Sequence, residues 1–322
     1  MATLARRLPG PRRLAAVAAL ALVAVAPGCD PVTPSVPFEH GSFEGFDVVS
    51  YVPDHPRGLV YLFHGSYGSA DFATRVETVD RLNELIARGY GFVASESTER
   101  TGTKRWDVFD PSLATNPDLA RLTRLQAHLV ATTPVEAGTP VLGLGMSNGA
   151  RFVSLWGETW AGAGYPVRAI AMVMGTIAPP VTAAGGLDVP TLFVTAENDV
   201  TSPPGPIIAD HAATAARGTP TDLIVAREQP LTAARFLRIP GIDGDEATAV
   251  VEALVATGAW DAAGQRLVPV DEAVARAQAV TLRPAVRPEA AEIGNQVALV
   301  LAVHQMRGDV KVPVAEFFDR HR

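Results

Sequence analysis

The stretch Gly145-Met146-Ser147-Asn148-Gly149 follows the apolar run Pro140–Gly145 and leads into Ala150-Arg-Phe-Val-Ser-Leu-Trp156, a segment compatible with a helix. It has the form G-x-S-x-G, set between a strand and a helix. A serine on so tight a strand-to-helix turn takes strained backbone angles, and small residues must flank it to avoid clashes. Its hydroxyl then stands above the sheet, and the helix N-terminus behind it favours developing negative charge. The bare pattern is common, and a glycine-rich turn with an incidental serine is the simpler alternative. The strand before it and the helix after it argue against that alternative.

Outward from this turn the chain alternates strands and helices. Gly58–Phe63 is a short apolar run bounded by Pro56 and Gly65, and Gly91–Ser95 is a second. Between them Val76, Val79, Leu82, Leu85 and Ile86 recur at helical spacing, with Gly89 as a stop. Asn116 and Pro117 read as an N-cap with proline in the first turn, followed by Leu119, Leu122, Leu125 and Leu129 on one face. Val167–Val173, Pro190–Thr195 and Thr221–Ala226 are further strand candidates, and Ile207–Ala216 reads as a helix. Strands separated by helices imply a parallel sheet covered on both faces. In such sheets function gathers at the carboxyl ends of the strands.

A second motif sits at such an end: His64-Gly65-Ser66-Tyr67-Gly68, directly after the Gly58–Phe63 strand. With both motifs in register, the chain resembles the α/β-hydrolase superfamily of serine esterases over roughly residues 45–230 and again around His304. The resemblance implies an α/β fold with a mostly parallel central sheet of about eight strands, helices on both faces and a serine nucleophile at the centre. It also implies an oxyanion hole made by the backbone N–H groups of Ser66 and Asn148. His64 is then a structural residue of the loop rather than the catalytic base.

A serine hydroxyl needs a base, and the base needs an orienting carboxylate. In this superfamily the chain order is Ser, acid, His. Asp199, just past the strand that ends near Thr195, is the expected acid, with Glu197 as the alternative. The order leaves His211, His304 and His321. His211 lies only twelve residues after Asp199 in the expected helix, and His321 is next to the C-terminal residue, where chains fray. His304 follows the apolar run Val297–Val303, a last strand or a buried helix, and precedes a closing helix over Val312–His321. It is the favoured base. The long separation from Asp199 marks residues 228–296 as a mainly helical insertion before the histidine. Asp245–Thr257 and Asp271–Val280 are its expected helices, and a lid or a solvent-facing ornament its two readings.

The 322 residues carry 27 basic and 34 acidic side chains, a net charge of −7, and one cysteine. No basic stripe is present to meet phosphates, which disfavours a nucleic-acid partner. One cysteine forms no internal disulfide, and nothing resembles a dinucleotide fingerprint, a phosphate loop or a metal site, so no cofactor is expected. Arg6, Arg7, Arg12 and Arg13 precede an apolar stretch over Leu14–Ala26, and the first acid is Asp30. This reads as a signal peptide over 1–28, whose apolar stretch of thirteen residues is too short to span a bilayer. Gly28-Cys29 resembles a bacterial lipobox, although Ala26 and Pro27 depart from its usual residues. Lipidation at Cys29 would anchor the protein to a membrane through a tether ending near residue 40, with a catalytic domain over 41–322. Ordinary signal cleavage and release is the alternative. Removing residues 1–28 takes away four arginines and no acid, so the charge moves from −7 to −11.

The leading expectation is an exported serine esterase acting on small-molecule or polymeric esters, extracellular polyesters and lipids among them. A serine peptidase and a non-catalytic envelope lipoprotein are the rivals. Tyr67, inside the oxyanion turn, and Trp106, in the loop after the Gly91–Ser95 strand, are candidate substrate contacts.

Overall fold

The computed structural model describes residues 30–281 and 289–322; the expected signal segment and Cys29 lie outside them. The chain begins with a hairpin of β1 (Glu39–Phe43) and β2 (Phe46–Tyr51). It continues as β3 (Leu59–Phe63), α1 (Val76–Ala87), β4 (Gly91–Ser95), α2 (Pro117–Thr132), β5 (Val141–Met146), α3 (Asn148–Gly162) and β6 (Val167–Val173). Then come α4 (Pro179–Ala183), β7 (Thr191–Ala196), α5 (Pro204–Ala216) and β8 (Thr221–Ala226). After β8 the described residues are helical: α6 (Ala233–Phe236), α7 (Gly244–Val255), α8 (Val270–Thr281), α9 (Ala290–Val300) and α10 (Lys311–His321).

The eight strands form one sheet in the order β1-β2-β4-β3-β5-β6-β7-β8. From β4 to β8 every pairing is parallel, while β2 is antiparallel to both β1 and β4. The parallel pairing is what the alternation of strands and helices predicts, and a mostly parallel sheet of about eight strands is what the superfamily resemblance implies. Period-two alternation divides each inner strand between two cores. Val60 and Leu62 of β3 join Leu82 and Leu85 of α1 and Val314 and Phe318 of α10 on one face. Leu59, Tyr61 and Phe63 join Leu119, Leu122 and Leu125 of α2 and Phe152 and Trp156 of α3 on the other. With both faces covered, β3, β4, β5 and β7 are buried at every position and read as unbroken apolar runs.

The helix signals also translate into structure. The Asn116 side chain accepts from the N–H groups of Asp118 and Leu119 at the start of α2, with Pro117 behind it. The run up to Val303 is helical, as α9 and a closing turn, rather than a strand. The insertion holds a core of its own, built on Phe236, Ile242, Leu254, Trp260 and Ile293 and continued by Val297 just beyond it.

Two features of the N-terminal part differ from expectation. β1 begins at Glu39, two residues before the expected start of the domain, as an edge strand exposed along most of its length. Its residues Glu-His-Gly-Ser-Phe show no apolar alternation, so sequence gave no sign of it. Residues in the expected tether are also tied to the body: the Val32 N–H donates to the Arg238 carbonyl at 2.9 Å. Asn83 further accepts from the Ser35 N–H and donates to the Thr33 carbonyl, each at 2.8 Å.

Candidate active site

β5 ends at Met146 and α3 starts at Asn148, so Ser147 alone makes the turn. Its φ of 56° and ψ of −116° are outside the comfortable region for a residue with a side chain, which is strain held by its surroundings. The flanking glycines show why nothing larger fits. A Cβ on Gly145 would lie 2.1 Å from the Gly149 carbonyl oxygen, and one on Gly149 would lie 2.2 Å from that of Phe63. The serine is thus presented at the carboxyl end of a central strand, at the N-terminus of a fifteen-residue helix.

Beside it lies the His64–Gly68 turn. His64 is buried; its Nδ1–H donates to the Gly65 carbonyl at 2.7 Å, and its Nε2 accepts from the Ser97 N–H at 3.2 Å. Burial holds its pKa down at about 4. Both ring nitrogens are occupied, which suits the structural role expected for His64. The Ser66 N–H has no acceptor among the described residues. The Asn148 N–H is a first-turn amide of α3, a position with no intrahelical acceptor. Both residues border the same cavity as Ser147.

Of the two aromatic candidates, Tyr67 stands at the rim, 71% exposed and with φ of 64°. Trp106 borders a cavity but is only 2% exposed, and its ring packs edge-on to Phe63 and parallel to Phe152. Its indole N–H donates to the His64 carbonyl at 3.0 Å. Its backbone N–H donates to Asn148 Oδ1 at 2.8 Å, and its carbonyl accepts from Asn148 Nδ2 at 3.3 Å. Trp106 therefore ties the start of the His64–Gly68 turn to Asn148.

Asp199 lies in the loop after β7. Its Oδ2 meets His304 Nδ1 at 2.7 Å, while its Oδ1 accepts from the N–H groups of Thr201 and Ser202 at 2.9 and 2.8 Å. Asp199 is 2% exposed, so this carboxylate is shielded and held from both sides. The neighbouring residue fixes the histidine's turn to the acid's loop. The Asn198 N–H donates to the Ala302 carbonyl at 3.1 Å, and its side-chain amide donates to the Leu301 carbonyl at 2.9 Å. Glu197 is engaged elsewhere, with the Arg227 guanidinium at 2.7 Å and the Glu228 N–H at 2.5 Å. Partial burial raises its carboxyl pKa, but Arg227, the Glu228 N–H and Arg266 together outweigh that and hold it below the ordinary value. His211 lies on α5 against Phe193, and His321 lies in the last turn of α10 against Phe317. Among the described contacts, His304 alone of these three meets a candidate acid.

Two cavities border Ser147. The larger, about 840 Å³, is lined by Ser66, Arg105, Asn148, Arg151, Thr176 and the Thr201–Pro206 loop among others. The smaller, about 580 Å³, contains His304, Gly65, Tyr67, Phe72, Met306, and Ala291, Glu292 and Asn295 of α9. The insertion thus walls the side on which the histidine stands.

Sequence reading missed what holds His304 in place. Glu77 on α1 accepts from the Gly308 N–H at 2.6 Å and from Gln296 Nε2 at 3.0 Å, and it faces Arg238 at 3.2 Å and Arg235 at 3.6 Å. Arg81 donates to the Arg307 carbonyl and, at 3.1 Å, to Met306 Sδ. Asp80 joins Arg238 at 2.7 Å and Lys311 at 2.5 Å. These buried charges join α1, the insertion and the loop after His304. The one-dimensional signal was slight: Glu77, Asp80 and Arg81, three charges at i, i+3 and i+4 on a helix whose apolar positions were already assigned. Among the described residues no group of His, Cys, Asp and Glu is placed to hold a metal ion.

The strand order and the Ser147 turn together define an α/β-hydrolase fold. No family model and no curated protein matches the sequence. Among solved structures the chain is similar to an arylesterase at 14% identity and TM-score 0.46, over 70% of this chain and 85% of that one. It is also similar to a thermostable esterase at 14% identity and TM-score 0.44, over 59% of this chain and 55% of that one. A third similar structure, esterase PE8, has 17% identity and TM-score 0.42, over 69% of this chain and 99% of that one.

Proposed function

We propose that the protein is a serine hydrolase that cleaves carboxylic esters through an acyl-enzyme, with Ser147 as nucleophile, His304 as base and Asp199 as its orienting acid. The observation that carries this reading is the 2.7 Å contact of His304 Nδ1 with buried Asp199, in a cavity that also contains Ser147. With Nδ1–H donating to the carboxylate, the acceptor nitrogen of the neutral ring is Nε2. Ser147 Oγ bonds to the ester carbon as its proton passes to Nε2, and the carbonyl oxygen becomes an oxyanion facing the N–H groups of Ser66 and Asn148. The carbon–alkoxy bond then breaks, and the alkoxide takes the proton from His304. Water, deprotonated by the same nitrogen, attacks the acyl carbon and releases Ser147 with the acid product.

The leaving oxygen must reach His304, so the alcohol part extends into the smaller cavity. The acyl substituent then points to the larger one, where His304 is absent from the lining. Turnover of p-nitrophenyl butyrate tests the assignment. The reading expects loss in Ser147→Ala and His304→Ala with His211→Ala close to wild type; a large loss in His211→Ala alone would overturn the choice of histidine. A matched anilide, hydrolysed faster than the ester, would favour a peptidase instead.

The proposal extends to an exported protein anchored through a lipid on Cys29. Its support is the basic and apolar segment ahead of Gly28-Cys29. Incorporation of a palmitate analogue that persists in Cys29→Ser would contradict the anchor.

A further inference from the structure

The larger cavity carries two guanidinium groups that have no carboxylate in direct ion-pair contact among the described residues. Arg151 lies in the first turn of α3, four residues after Ser147, and its Nε–H donates to Thr176 Oγ1 at 3.1 Å. Arg105 arrives from the loop after β4, and its Nε–H donates to Ser66 Oγ at 3.2 Å. Both are neutral hydroxyl contacts. Neither arginine makes an ion pair among the described residues, and the terminal nitrogens of both have no protein partner.

The nearest acids act on them only at a distance: Arg105 favours the charged form of Glu99 and Arg151 that of Asp210, yet neither carboxylate touches its guanidinium. The Glu99 carboxylate accepts from the Thr103 N–H and hydroxyl and from the backbone N–H of Arg105 at 2.9 Å. Asp107 Oδ1 accepts from the Phe109 N–H at 2.9 Å and the Asp110 N–H at 3.4 Å. These carboxylates shape the loop, and the loop fixes Arg105. It is pinned further by the Tyr67 N–H to the Thr103 carbonyl at 2.6 Å and by the Trp106–Asn148 pair. Arg105 borders both cavities beside Ser66, whereas Arg151 borders the larger alone. A pinned loop and a helix first turn therefore aim two cations into the space assigned to the acyl substituent.

We propose that the preferred acyl group carries a carboxylate, so that the substrates are half-esters of dicarboxylic acids, with Arg105 and Arg151 recognising the free acid end. Guanidinium groups suit a carboxylate through paired, charge-assisted N–H donors. The proposal rests on the ester-hydrolase reading and on the placement of the acyl part opposite His304. A monoester that presented its charge on the alcohol would direct it to the other cavity.

The test compares mono-p-nitrophenyl adipate with p-nitrophenyl hexanoate, which match in acyl length and leaving group and differ in the terminal carboxylate. For wild type, kcat/KM is expected to be at least about tenfold higher for the adipate monoester, with the gain shrinking as salt is raised. In Arg151→Gln and Arg105→Gln the ratio of the two kcat/KM values falls about tenfold, and in Arg151→Glu it drops below one. Wild type turning over both esters with a ratio near one, or a ratio unmoved by all three substitutions, overturns the inference while leaving ester hydrolysis standing. Turnover of neither ester removes the hydrolase reading and this inference with it.

Discussion

Replacing Glu77 by Gln keeps the shape of a side chain buried at 3% exposure and removes its charge. Two guanidinium groups then lose a counterion: Arg238, at 3.2 Å, retains Asp80, whereas Arg235, at 3.6 Å, whose buried Nε and Nη2 already have no hydrogen-bond acceptor, keeps only the more distant Asp309. Breaking a buried pair from one side typically costs about 3–5 kcal/mol. Because Asp80 still serves Arg238, the lower part of that range, about 3 kcal/mol, is expected. For a domain of this size each kcal/mol lowers Tm by roughly 2–3 °C, so a fall of about 6–9 °C follows. Urea unfolding and thermal melts monitored by circular dichroism measure both quantities. Glu77 also receives the Gly308 N–H, so hydrogen exchange at Gly308 should accelerate with the loss of stability. A loss below about 1 kcal/mol would refute the claim that this charge ties the insertion and the His304 loop to α1.

Asp199→Asn preserves the size of the side chain but not the acceptor that fixes the His304 tautomer; kcat on p-nitrophenyl butyrate should fall about 10³–10⁴-fold with Tm little changed. A loss below tenfold would separate Asp199 from catalysis. Gly149→Ala places a Cβ 2.2 Å from the Phe63 carbonyl oxygen, so soluble yield and activity should both collapse; a folded, active variant would contradict the turn geometry. His64 titrates at about 4 in the folded chain against about 6.5 unfolded, so the unfolded state binds the extra proton between those values. Wild type should lose up to about 1.4 kcal/mol of stability per pH unit as pH falls through that window. His64→Gln should lose correspondingly less, and equal slopes for the two proteins would dismiss the buried neutral ring.

The parts of the chain that wrote themselves plainly in sequence were those under steric or periodic constraint. Gly145 and Gly149 are visible because a Cβ has nowhere to go, and Leu119, Leu122, Leu125 and Leu129 because one helix face must meet the sheet. The parts that stayed hidden depend on distant chain segments meeting. β1 is stabilised by pairing with β2 across the two-residue turn Glu44-Gly45, both at positive φ, and needs no apolar face. Glu77 meets Gly308 across 231 residues, and Asn198 meets Leu301 across 103, separations at which charge and amide patterns carry no local signature. His304 was legible through chain order together with its place before the closing helix, although its apolar approach fits a strand as well as the helix it forms. Its partner, Asp199, was legible from its place at a strand end, but the two N–H groups that hold its other oxygen were not.

The central claim is that Ser147 is a nucleophile activated by His304. Incubation with a fluorophosphonate probe at pH 8, followed by peptide mass spectrometry, tests it most directly. The account predicts one adduct per chain, located on Ser147, absent in Ser147→Ala and strongly slowed in His304→Ala. An unlabelled wild type, or an adduct that survives Ser147→Ala, would contradict it.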